Sequence, residues 1–382
     1  MATISHPHPV ATTHQPRFSL GRTIIWILAA LGVFTITWRL MYGMGGVSNM
    51  SNSVSWGFWI GQKLTGVFSG GAAFTLCAAI YIFGKEEFHK LVRPAVLTGL
   101  LCYISFILLL FFDLGRPERI WHLIIYWNIH SPLFEVGWCV MLYTTVLLFE
   151  FIPVIFEKFG WAKAVHALHK ITLPLMILGV LLSTLHQSSL GSLMLAEVGK
   201  VHPLWHTGLI PPFFFITAIT GGIAFLVLEE TLRCHYYKQP FELGILSRLA
   251  KVVPWVLGLY LVAKFADLAY AGELGLLFTS GLYSVLWWTD LVISTVIPLV
   301  LFMIPGVRTS AKGLRWASLF IFVGTSLMRF NVSLIGWQRP EGTHYTPHWM
   351  EIAMGVGILA IMVLVYDFIV RFFPVHPAEH EH

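Results

Sequence analysis

Ten apolar runs of about 20 residues or more follow one another along the chain, and this is the length that an α-helix needs to cross a bilayer. They cover residues 23–42, 55–83, 92–113, 132–153, 171–190, 209–231, 250–270, 282–304, 315–336 and 350–373. The runs do not alternate apolar and polar residues, as the strands of a membrane β-barrel do. The sequence therefore predicts an all-α integral membrane protein with about ten transmembrane helices.

The scarcity of charge supports this prediction. Only 11% of the 382 residues are charged, whereas soluble domains carry about 25%, so much of the surface must face lipid. The net charge of +5 suits an anionic membrane surface, and we expect no nucleic-acid partner. We predict a disordered cytoplasmic tail over residues 1–22, a transmembrane domain over residues 23–373 and a cytoplasmic tail over residues 374–382.

Lysine and arginine are unevenly distributed between the two sides of the spans. The side with both termini and the loops after spans 2, 4, 6 and 8 carries 16 of the 24, and the other side carries 4. Because cytoplasmic loops are enriched in these residues, we expect both termini in the cytoplasm. In a bacterium the protein would then lie in the inner membrane, with its outer face toward the periplasm.

The cysteines form no C-x-x-C pair; they are Cys77, Cys102, Cys139 and Cys234. Iron–sulfur clusters, zinc sites and covalent c-type haem use such motifs. We therefore expect no metal site in this protein. A redox role would need a mobile carrier and a partner protein.

Ionisable residues lie within the spans of the first half, all toward the outer face. Lys63 is near the outer end of span 2, and Asp113 ends span 3. Glu135 lies in the first turn of span 4, and His186 ends span 5. Ionisable groups inside a membrane are costly and usually mark function, so these four residues are candidates for a site.

The second half repeats this placement with Lys264, Asp267, Asp290 and Arg329. Spans 2–5 and spans 6–9 would then form two four-helix bundles related by a parallel duplication, flanked by spans 1 and 10. The corresponding positions would be Asp113 and Asp267, Glu135 and Asp290, and His186 and Arg329. On a simpler interpretation, Lys264 and Asp267 lie one turn apart and only neutralise each other.

The stretch LHQSSLGSLM, residues 185–194, places polar side chains at the end of an apolar span. With Asp113 at the same face, His186, Gln187 and Ser188 would offer hydrogen-bond donors and acceptors close to the membrane surface. A quinone has an apolar tail and two carbonyl oxygens that need donors, and histidine transfers protons near neutral pH. These residues therefore suit a lipid-soluble quinone.

Several motifs resemble those of one known family. DLGRPERIWH at 113–122 and NIHSPLFEVGW at 128–138 are similar to the outer loop and fourth helix of the NrfD/polysulfide-reductase-C family of quinone-reactive membrane subunits. LHQSSLGSLM with KVHPLW at 200–205, and SWGFWIGQ at 55–62, resemble the membrane subunits of hydrogenase-2 type nickel–iron hydrogenases within that family. The resemblance extends from span 1 to span 10.

The resemblance implies a subunit that is not catalytic alone but belongs to a membrane-bound, quinone-dependent oxidoreductase complex. Its partners would be a periplasmic, ferredoxin-like iron–sulfur subunit and, through it, a catalytic subunit. The cofactor would be menaquinone or ubiquinone, held in the first bundle near the outer face. The matching positions are Asp113, Arg116, Glu135, His186 and Gln187.

The resemblance and the residues together define the candidate roles. His186 would serve one quinone oxygen, with Asp113 as its carboxylate partner or a second proton acceptor. Arg116 would hold Asp113 or steer the semiquinone anion. Lys63 would tune the site or pair with Asp113 or Glu135. The quinone-binding candidates are thus His186, Gln187, Ser188, Asp113, Arg116 and Lys63. The proton-relay candidates are Glu135, Asp290, Asp267, Lys264 and Arg329.

Three other interpretations remain open from the sequence. A haem-b cytochrome anchor needs two histidines at matching depth, and because only His186 is suitably placed we expect no haem. An ion or proton transporter would account for intramembrane charges, although such proteins place them near the midplane. A purely structural anchor would need no buried polar groups.

Overall fold

The computed structural model describes residues 20–196, 199–238, 240–339 and 343–375. Within these residues, ten helices are long and apolar enough to cross a membrane. We number them α1 (Leu20–Tyr42), α2 (Phe58–Ile82), α3 (Glu86–Asp113), α4 (Pro132–Lys158), α5 (Thr172–Ala196), α6 (Ile210–Tyr237), α7 (Leu243–Ala271), α8 (Leu282–Met303), α9 (Ala311–Ile335) and α10 (Trp349–Phe372). The predicted all-α membrane architecture is confirmed.

Most helix ends fall within a few residues of the predicted spans. The difference that matters for function is in α5, which continues to Ala196, whereas we predicted that span 5 ends at residue 190. The predicted tail 1–22 overlaps α1, which begins at Leu20; residues 1–19 lie outside the described residues.

The described part of the predicted tail 374–382 packs against the protein. Val375 is buried, and the carbonyl of Pro374 accepts a hydrogen bond from Arg93 at 3.2 Å. Residues 376–382 lie outside the described residues. At least these two residues beyond the predicted boundary at 373 therefore pack against the transmembrane domain.

The loops fall on two sides of the helices. We call the side with residues 43–57, 114–131, 199–209, 272–281, 336–339 and 343–348 the outer face, following the charge distribution, and the opposite side the inner face. An α-helix rises 1.5 Å per residue, so the distance of a residue from its helix end gives its depth.

The helices form the two predicted bundles. Helices α2–α5 pack around one another, and α6–α9 do the same. Helices α1 and α10 pack together, and α10 also contacts α2 and α3. A Cβ on Gly32 would lie 2.6 Å from the Cα of Gly357, so only glycine lets α1 and α10 approach this closely.

The two bundles share a tight interface. Helices α2 and α5 of the first bundle contact α6 of the second, and α2 also contacts α9. A Cβ on Gly222 of α6 would lie 2.5 Å from the carbonyl carbon of Gly71 in α2. The backbones therefore meet directly at this point, and larger side chains would separate the bundles.

Three transmembrane helices contain π-helical segments, which often occur at functional sites. One is at the inner end of α2, Ala78–Ile82. The other two lie in the second bundle, at Val292–Val296 in α8 and Asn331–Ile335 in α9. These two begin two residues after Asp290 and Arg329, so the helices are irregular next to both buried charges.

The described part of the outer loop 197–209 is attached to the second bundle. The backbone N–H of His202 donates to the carbonyl of Gly336 at 2.8 Å. The indole N–H of Trp287 in α8 donates to the carbonyl of Leu204 at 3.1 Å. The loop that follows α5 therefore covers the outer end of α6–α9.

Candidate functional site

His186 lies in the middle of α5 and is completely buried. Its ring contacts Tyr103 and Phe106 of α3, with centroids 5.4 and 5.7 Å away. Neither ring nitrogen has a hydrogen-bond partner among the residues that the structure describes. Because α5 continues ten residues to Ala196, His186 lies about 15 Å below the outer end of the helix, much deeper than the predicted membrane surface.

Three more polar side chains surround this imidazole. The hydroxyls of Tyr103, Tyr143 and Ser183 are buried, and none makes a hydrogen bond of good geometry with the described residues, although Ser183 lies close enough to both phenols to interact with them. The rings of Tyr103 and Tyr143 meet edge to face, with centroids 4.7 Å apart. We call His186, Tyr103, Tyr143 and Ser183 the His186 cluster. Buried polar groups are nearly always satisfied by protein, water or a bound molecule, so this cluster can receive a polar ligand.

Gln187 and Ser188 are placed differently from each other. The buried amide of Gln187 donates to the carbonyl of Val67 at 3.0 Å, which ties α5 to α2 beside the His186 cluster. Ser188 is only half-buried. Its backbone carbonyl accepts a hydrogen bond from the hydroxyl of Ser192 at 3.4 Å. The structure thus brings Gln187 to the cluster and leaves Ser188 at its edge.

Asp113 pairs with Lys63 rather than with His186. The ammonium of Lys63 in α2 forms an ion pair with the Asp113 carboxylate at the outer end of α3. The prediction that Asp113 is the carboxylate partner of His186 is therefore wrong, because the pair lies at the end of α3 while His186 contacts Tyr103, ten residues deeper. Of the two partners predicted for Lys63, the structure selects Asp113.

Arg39 of α1 supports this outer pair. Its guanidinium donates to the carbonyls of Phe112 (3.0 Å) and Leu114 (2.6 Å). These carbonyls are at the C-terminal end of α3, where an α-helix leaves acceptors unpaired and a cation is favourable. Arg39 also lies close enough to interact electrostatically with Asp113.

Arg116 and Glu135 are both exposed. Arg116 lies in the outer loop, and Glu135 lies in the first turn of α4. Glu135 faces away from the bundle interior, so this proton-relay candidate is not a buried acid. Both residues are available at the outer face.

Asp290 is the polar centre of the second bundle and is completely buried. Its Oδ2 accepts hydrogen bonds from the indole of Trp205 (3.3 Å) and the amide of Asn331 (3.0 Å). The ammonium of Lys264 lies 3.8 Å from Oδ1, which has no hydrogen-bond partner. Lys264 thus pairs with Asp290, and the interpretation that it only neutralises Asp267 is not supported.

Arg329 of α9 is buried and has no ion-pair partner among the described residues. It donates to the carbonyl of Phe214 (2.9 Å) and the hydroxyl of Thr217 (3.0 Å), both in α6. Its guanidinium also lies 3.5 Å from the centroid of the Phe214 ring. Arg329 therefore fastens α9 to α6, while two of its nitrogens stay without partners.

The two bundles match in arrangement and differ in their charges. The first joins α2 to α3 through Lys63 and Asp113, whereas the second joins α7 to α8 through Lys264 and Asp290. Asp290 is buried where its predicted counterpart Glu135 is exposed. The matching of individual residues expected from a duplication is therefore not observed for these pairs.

A metal ion or a haem needs ligand side chains that converge on one point. Among the described residues, no group of three or more His, Cys, Asp or Glu side chains is placed to hold a metal ion. Of the described histidines, only His186 lies in the middle of a transmembrane helix, and its ring contacts Tyr103 and Phe106. The described residues do not fit a haem with two histidine ligands.

Sequence reasoning missed Tyr103, Tyr143, Ser183 and Arg39. The three hydroxyl residues are uncharged and lie inside apolar spans, where tyrosine and serine are unremarkable one at a time. These three residues lie at the same depth in the membrane as His186, and this could have identified them. We predicted that span 5 ends too early, however, and His186 was therefore placed at the membrane surface. Arg39 was visible as an intramembrane cation without an assigned partner.

Among the described residues, eight helices in two bundles, each with a buried polar centre, and two flanking helices define a polytopic, all-α integral membrane protein. Comparison of the sequence with known families refines this class. The chain belongs to the polysulphide reductase NrfD family, whose pattern matches residues 46–341. The predicted family is confirmed.

Three relatives are similar over most of their length. The protein is 33% identical over 358 residues to the "Probable Ni/Fe-hydrogenase 2 b-type cytochrome subunit" of Escherichia coli, covering 92% of this sequence and 91% of the relative. It is 28% identical over 393 residues to the "Menaquinone reductase, integral membrane subunit" of Nitratidesulfovibrio vulgaris, covering 96% and 93%. It is 22% identical over 385 residues to the "Hdr-like menaquinol oxidoreductase integral membrane subunit" of Archaeoglobus fulgidus, covering 93% of each.

Proposed function

We propose that this protein is the quinone-reactive membrane subunit of a respiratory oxidoreductase complex. The observation that carries the proposal is the His186 cluster, in which the buried imidazole has no hydrogen-bond partner among the described residues and lies beside the buried hydroxyls of Tyr103, Tyr143 and Ser183. The names of the menaquinone reductase and menaquinol oxidoreductase relatives support the choice of ligand. Menaquinone or ubiquinone would thus be the cofactor.

The cluster suits the chemistry of a quinone headgroup. Such a headgroup is flat and apolar except for two carbonyl oxygens, and it gains two electrons and two protons when it is reduced. Tyr103, Tyr143, Ser183 and His186 each offer a hydroxyl or ring N–H as a donor, and His186 also offers a proton acceptor. The aromatic rings around them provide a flat, apolar surface.

Each residue has a distinct task in this proposal. His186 donates a hydrogen bond to one carbonyl oxygen and holds or releases its proton, because imidazole has a donor and an acceptor nitrogen. Tyr103 donates to the second oxygen or positions the imidazole through ring contact. Gln187 holds α5 against α2 by its bond to the Val67 carbonyl.

The outer pair has a separate role. Lys63 and Asp113, supported by Arg39, join the outer ends of α1, α2 and α3. We propose that this pair closes the site toward the outer face and that Arg116 and Glu135 meet solvent or a partner there. Glu135 then remains a proton-relay candidate at the surface, together with Asp267, Lys264, Asp290 and Arg329 in the second bundle.

Partners and orientation follow from family membership and charge distribution. The relatives are named as subunits of a hydrogenase, a reductase and an oxidoreductase, so we propose that this protein also works in a complex with electron-transfer and catalytic subunits. An iron–sulfur subunit on the periplasmic side would accept or supply the electrons. The distribution of lysine and arginine favours the inner membrane with both termini in the cytoplasm.

Photolabelling tests the proposal directly. Membranes containing the protein would be irradiated with an azido-quinone, and the labelled peptides would be mapped by mass spectrometry. We expect label within residues 97–113 of α3 or 176–196 of α5, removed by excess unlabelled menaquinone. Label that is confined to α7 and α8, or that does not compete, would contradict the proposal.

A further inference from the structure

A short amphipathic helix lies at the inner face between α4 and α5. It covers Ala162–His169, and it packs against the inner ends of both transmembrane helices. Ala164, Val165 and Leu168 are half-buried, and because they are spaced by three and four residues they form one apolar side of the helix. The remaining side chains of this helix are exposed. We call it the connecting helix.

The turn from α4 into the connecting helix exposes two aromatic rings. Gly160 has a φ of 71°, and the N–H of Trp161 donates to the carbonyl of Phe156 at 3.0 Å, which is the pattern of a Schellman motif. The Trp161 ring packs on Phe156, with centroids 5.2 Å apart, while Trp161 and Phe159 remain 57% and 61% exposed. Tryptophan is enriched at the boundary between membrane and water, so this turn lies at the level of the lipid headgroups.

The exposed side of this segment is basic. Lys158, Lys163 and Lys170 are exposed, and none of them forms an ion pair with the residues that the structure describes. From Lys158 to Lys170 the sequence contains no aspartate or glutamate. The preceding acid, Glu157, is already bound by Arg93, which donates to both carboxylate oxygens at 2.8 and 2.9 Å. The described part of the protein therefore leaves the positive charge of these lysines uncompensated.

The basic side chains share one side of the connecting helix. Lys163, His166 and Lys170 follow one another at intervals of three and four residues, so they lie opposite the half-buried Leu168. Lys163 and Lys170 are seven residues apart, which corresponds to about 10 Å along a helix. Ammonium groups and the imidazole N–H are hydrogen-bond donors. This side of the helix therefore offers several donors to an anion with more than one oxygen.

Elsewhere at the inner face, basic residues are paired with acids. Arg248 near the start of α7 lies 3.0 Å from the carboxylate of Glu87 near the start of α3. Arg371 near the end of α10 lies 2.8 Å from the carboxylate of Asp367. These pairs neutralise their charge within the protein. The connecting helix differs from them because it combines unpaired lysines with exposed aromatic rings.

We propose that the connecting helix binds the phosphate headgroup of an anionic phospholipid in the leaflet at the inner face. Lys163 and Lys170 neutralise the phosphate, and His166 donates a hydrogen bond to it. The acyl chains lie along Ile171 and Leu173 at the start of α5, which are 43% and 52% exposed. Basic amphipathic helices with aromatic residues lie in the interface plane and are attracted by anionic lipids. The site does not depend on the proposed quinone function.

Native mass spectrometry tests the recognition of the headgroup. The full-length protein in detergent would be titrated with phosphatidylglycerol or with phosphatidylcholine of the same acyl chains. We expect wild type to bind phosphatidylglycerol more tightly, and Lys163→Gln/Lys170→Gln to bind it about 25-fold more weakly, because each lysine near an anionic lipid surface contributes about fivefold. The matched control is Lys251→Gln/Lys312→Gln, which removes two exposed lysines from the inner ends of α7 and α9 and should bind like wild type.

Hydrogen–deuterium exchange in lipid nanodiscs tests the location of the site. We expect the amides of residues 159–171 to exchange more slowly in phosphatidylglycerol than in phosphatidylcholine, and this difference to disappear in Lys163→Gln/Lys170→Gln. Equal affinity of wild type for the two lipids would overturn the headgroup site. Equal weakening in the two double variants would show a response to net charge alone and would also overturn it. The same exchange of residues 159–171 in both lipids would overturn the assignment to the connecting helix.

Discussion

The imidazole of His186 and the phenol of Tyr103 lie with ring centroids 5.4 Å apart in the first bundle, and neither makes a hydrogen bond of good geometry with the described residues. A buried, unsatisfied polar group costs roughly 1–3 kcal/mol. An apolar core would be more stable with phenylalanine at residue 103. The polar atoms therefore make sense as the contacts of a ligand.

The Tyr103→Phe variant should distinguish an effect on stability from an effect on quinone-dependent turnover. Because the hydroxyl of Tyr103 makes no hydrogen bond of good geometry with the described residues, we expect the free energy of unfolding to change by no more than about 1 kcal/mol. Quinone-dependent turnover of the complex should fall by about tenfold, equivalent to roughly 1.4 kcal/mol. Both are measured on the purified complex, with Tyr81→Phe near the inner end of α2 as the control. Normal turnover in Tyr103→Phe would show that the hydroxyl does not serve the ligand.

The outer ion pair predicts a compensating double substitution. Lys63 is 4% exposed and Asp113 19% exposed, so Asp113→Asn leaves a buried ammonium without its partner. We expect a loss of about 3 kcal/mol in the free energy of unfolding, measured by denaturant titration in detergent. Adding Lys63→Met should recover most of this loss, since the stranded charge is removed. If the double variant is as unstable as the sum of the single variants, the pair is not coupled as described.

We expect substitution of Glu351 to lower the stability of the protein without changing its affinity for a quinone-site ligand. Its carboxylate accepts the backbone N–H groups of Asn49 (3.0 Å), Phe58 (3.2 Å) and His348 (3.1 Å), and the hydroxyl of Tyr345. It thus provides a hydrogen-bond acceptor for backbone N–H groups at the start of both α2 and α10. Glu351→Gln replaces one acceptor oxygen with a donor, so we expect stability to fall by about 3 kcal/mol.

Affinity for a quinone-site inhibitor should survive in the Glu351→Gln variant below its melting temperature. Inhibitor titration of the folded fraction measures this affinity. A large loss of affinity with normal stability would instead place Glu351 in the ligand site, and the assignment of Glu351 to helix capping would be wrong.

We expect His202 in the outer loop to make the stability of the protein depend on pH. Burial lowers the pKa of His202, whose Nδ1 accepts the backbone N–H of Leu204 at 3.3 Å. As the pH falls, His202 therefore takes up a proton more readily in the unfolded state than in the folded state. The free energy of unfolding decreases as the pH falls below the ordinary histidine pKa of about 6.5. His202→Asn keeps an acceptor and removes the titration. We expect the melting temperature of wild type to drop more than that of the variant between about pH 7.5 and pH 5.5.

The number and limits of the helices were predictable because the bilayer imposes one length on every span. The bundle arrangement was predictable because α2–α5 and α6–α9 present similar runs with charges toward one face. The end of α5 was not predictable in this way. Residues 187–192 are polar enough to resemble a loop, but Gln187 bonds to α2 and Ser189 to the carbonyl of His186, so the helix continues.

The pairing of charges could not be predicted, because spacing along the sequence does not give the direction of side chains between helices. Lys264 and Asp267 are one turn apart, yet Lys264 points to Asp290 on another helix. Asp113 was assigned to His186 because both were placed at the membrane surface. The Tyr103 contact shows that His186 is half a helix deeper, and the nearer Lys63 forms the pair.

The most direct test of the central claim is the affinity of a fluorescent quinol-site inhibitor, such as a hydroxyquinoline N-oxide, for wild type and His186→Ala. Thr184→Ala is the matched control, because Thr184 is half-buried on the same helix and its hydroxyl bonds only to the Val180 carbonyl (2.8 Å). We predict stoichiometric quenching by wild type and Thr184→Ala, and a loss of about tenfold or more in affinity, roughly 1.4 kcal/mol, in folded His186→Ala. Equal affinity in all three proteins would contradict the assignment of the quinone site to the His186 cluster.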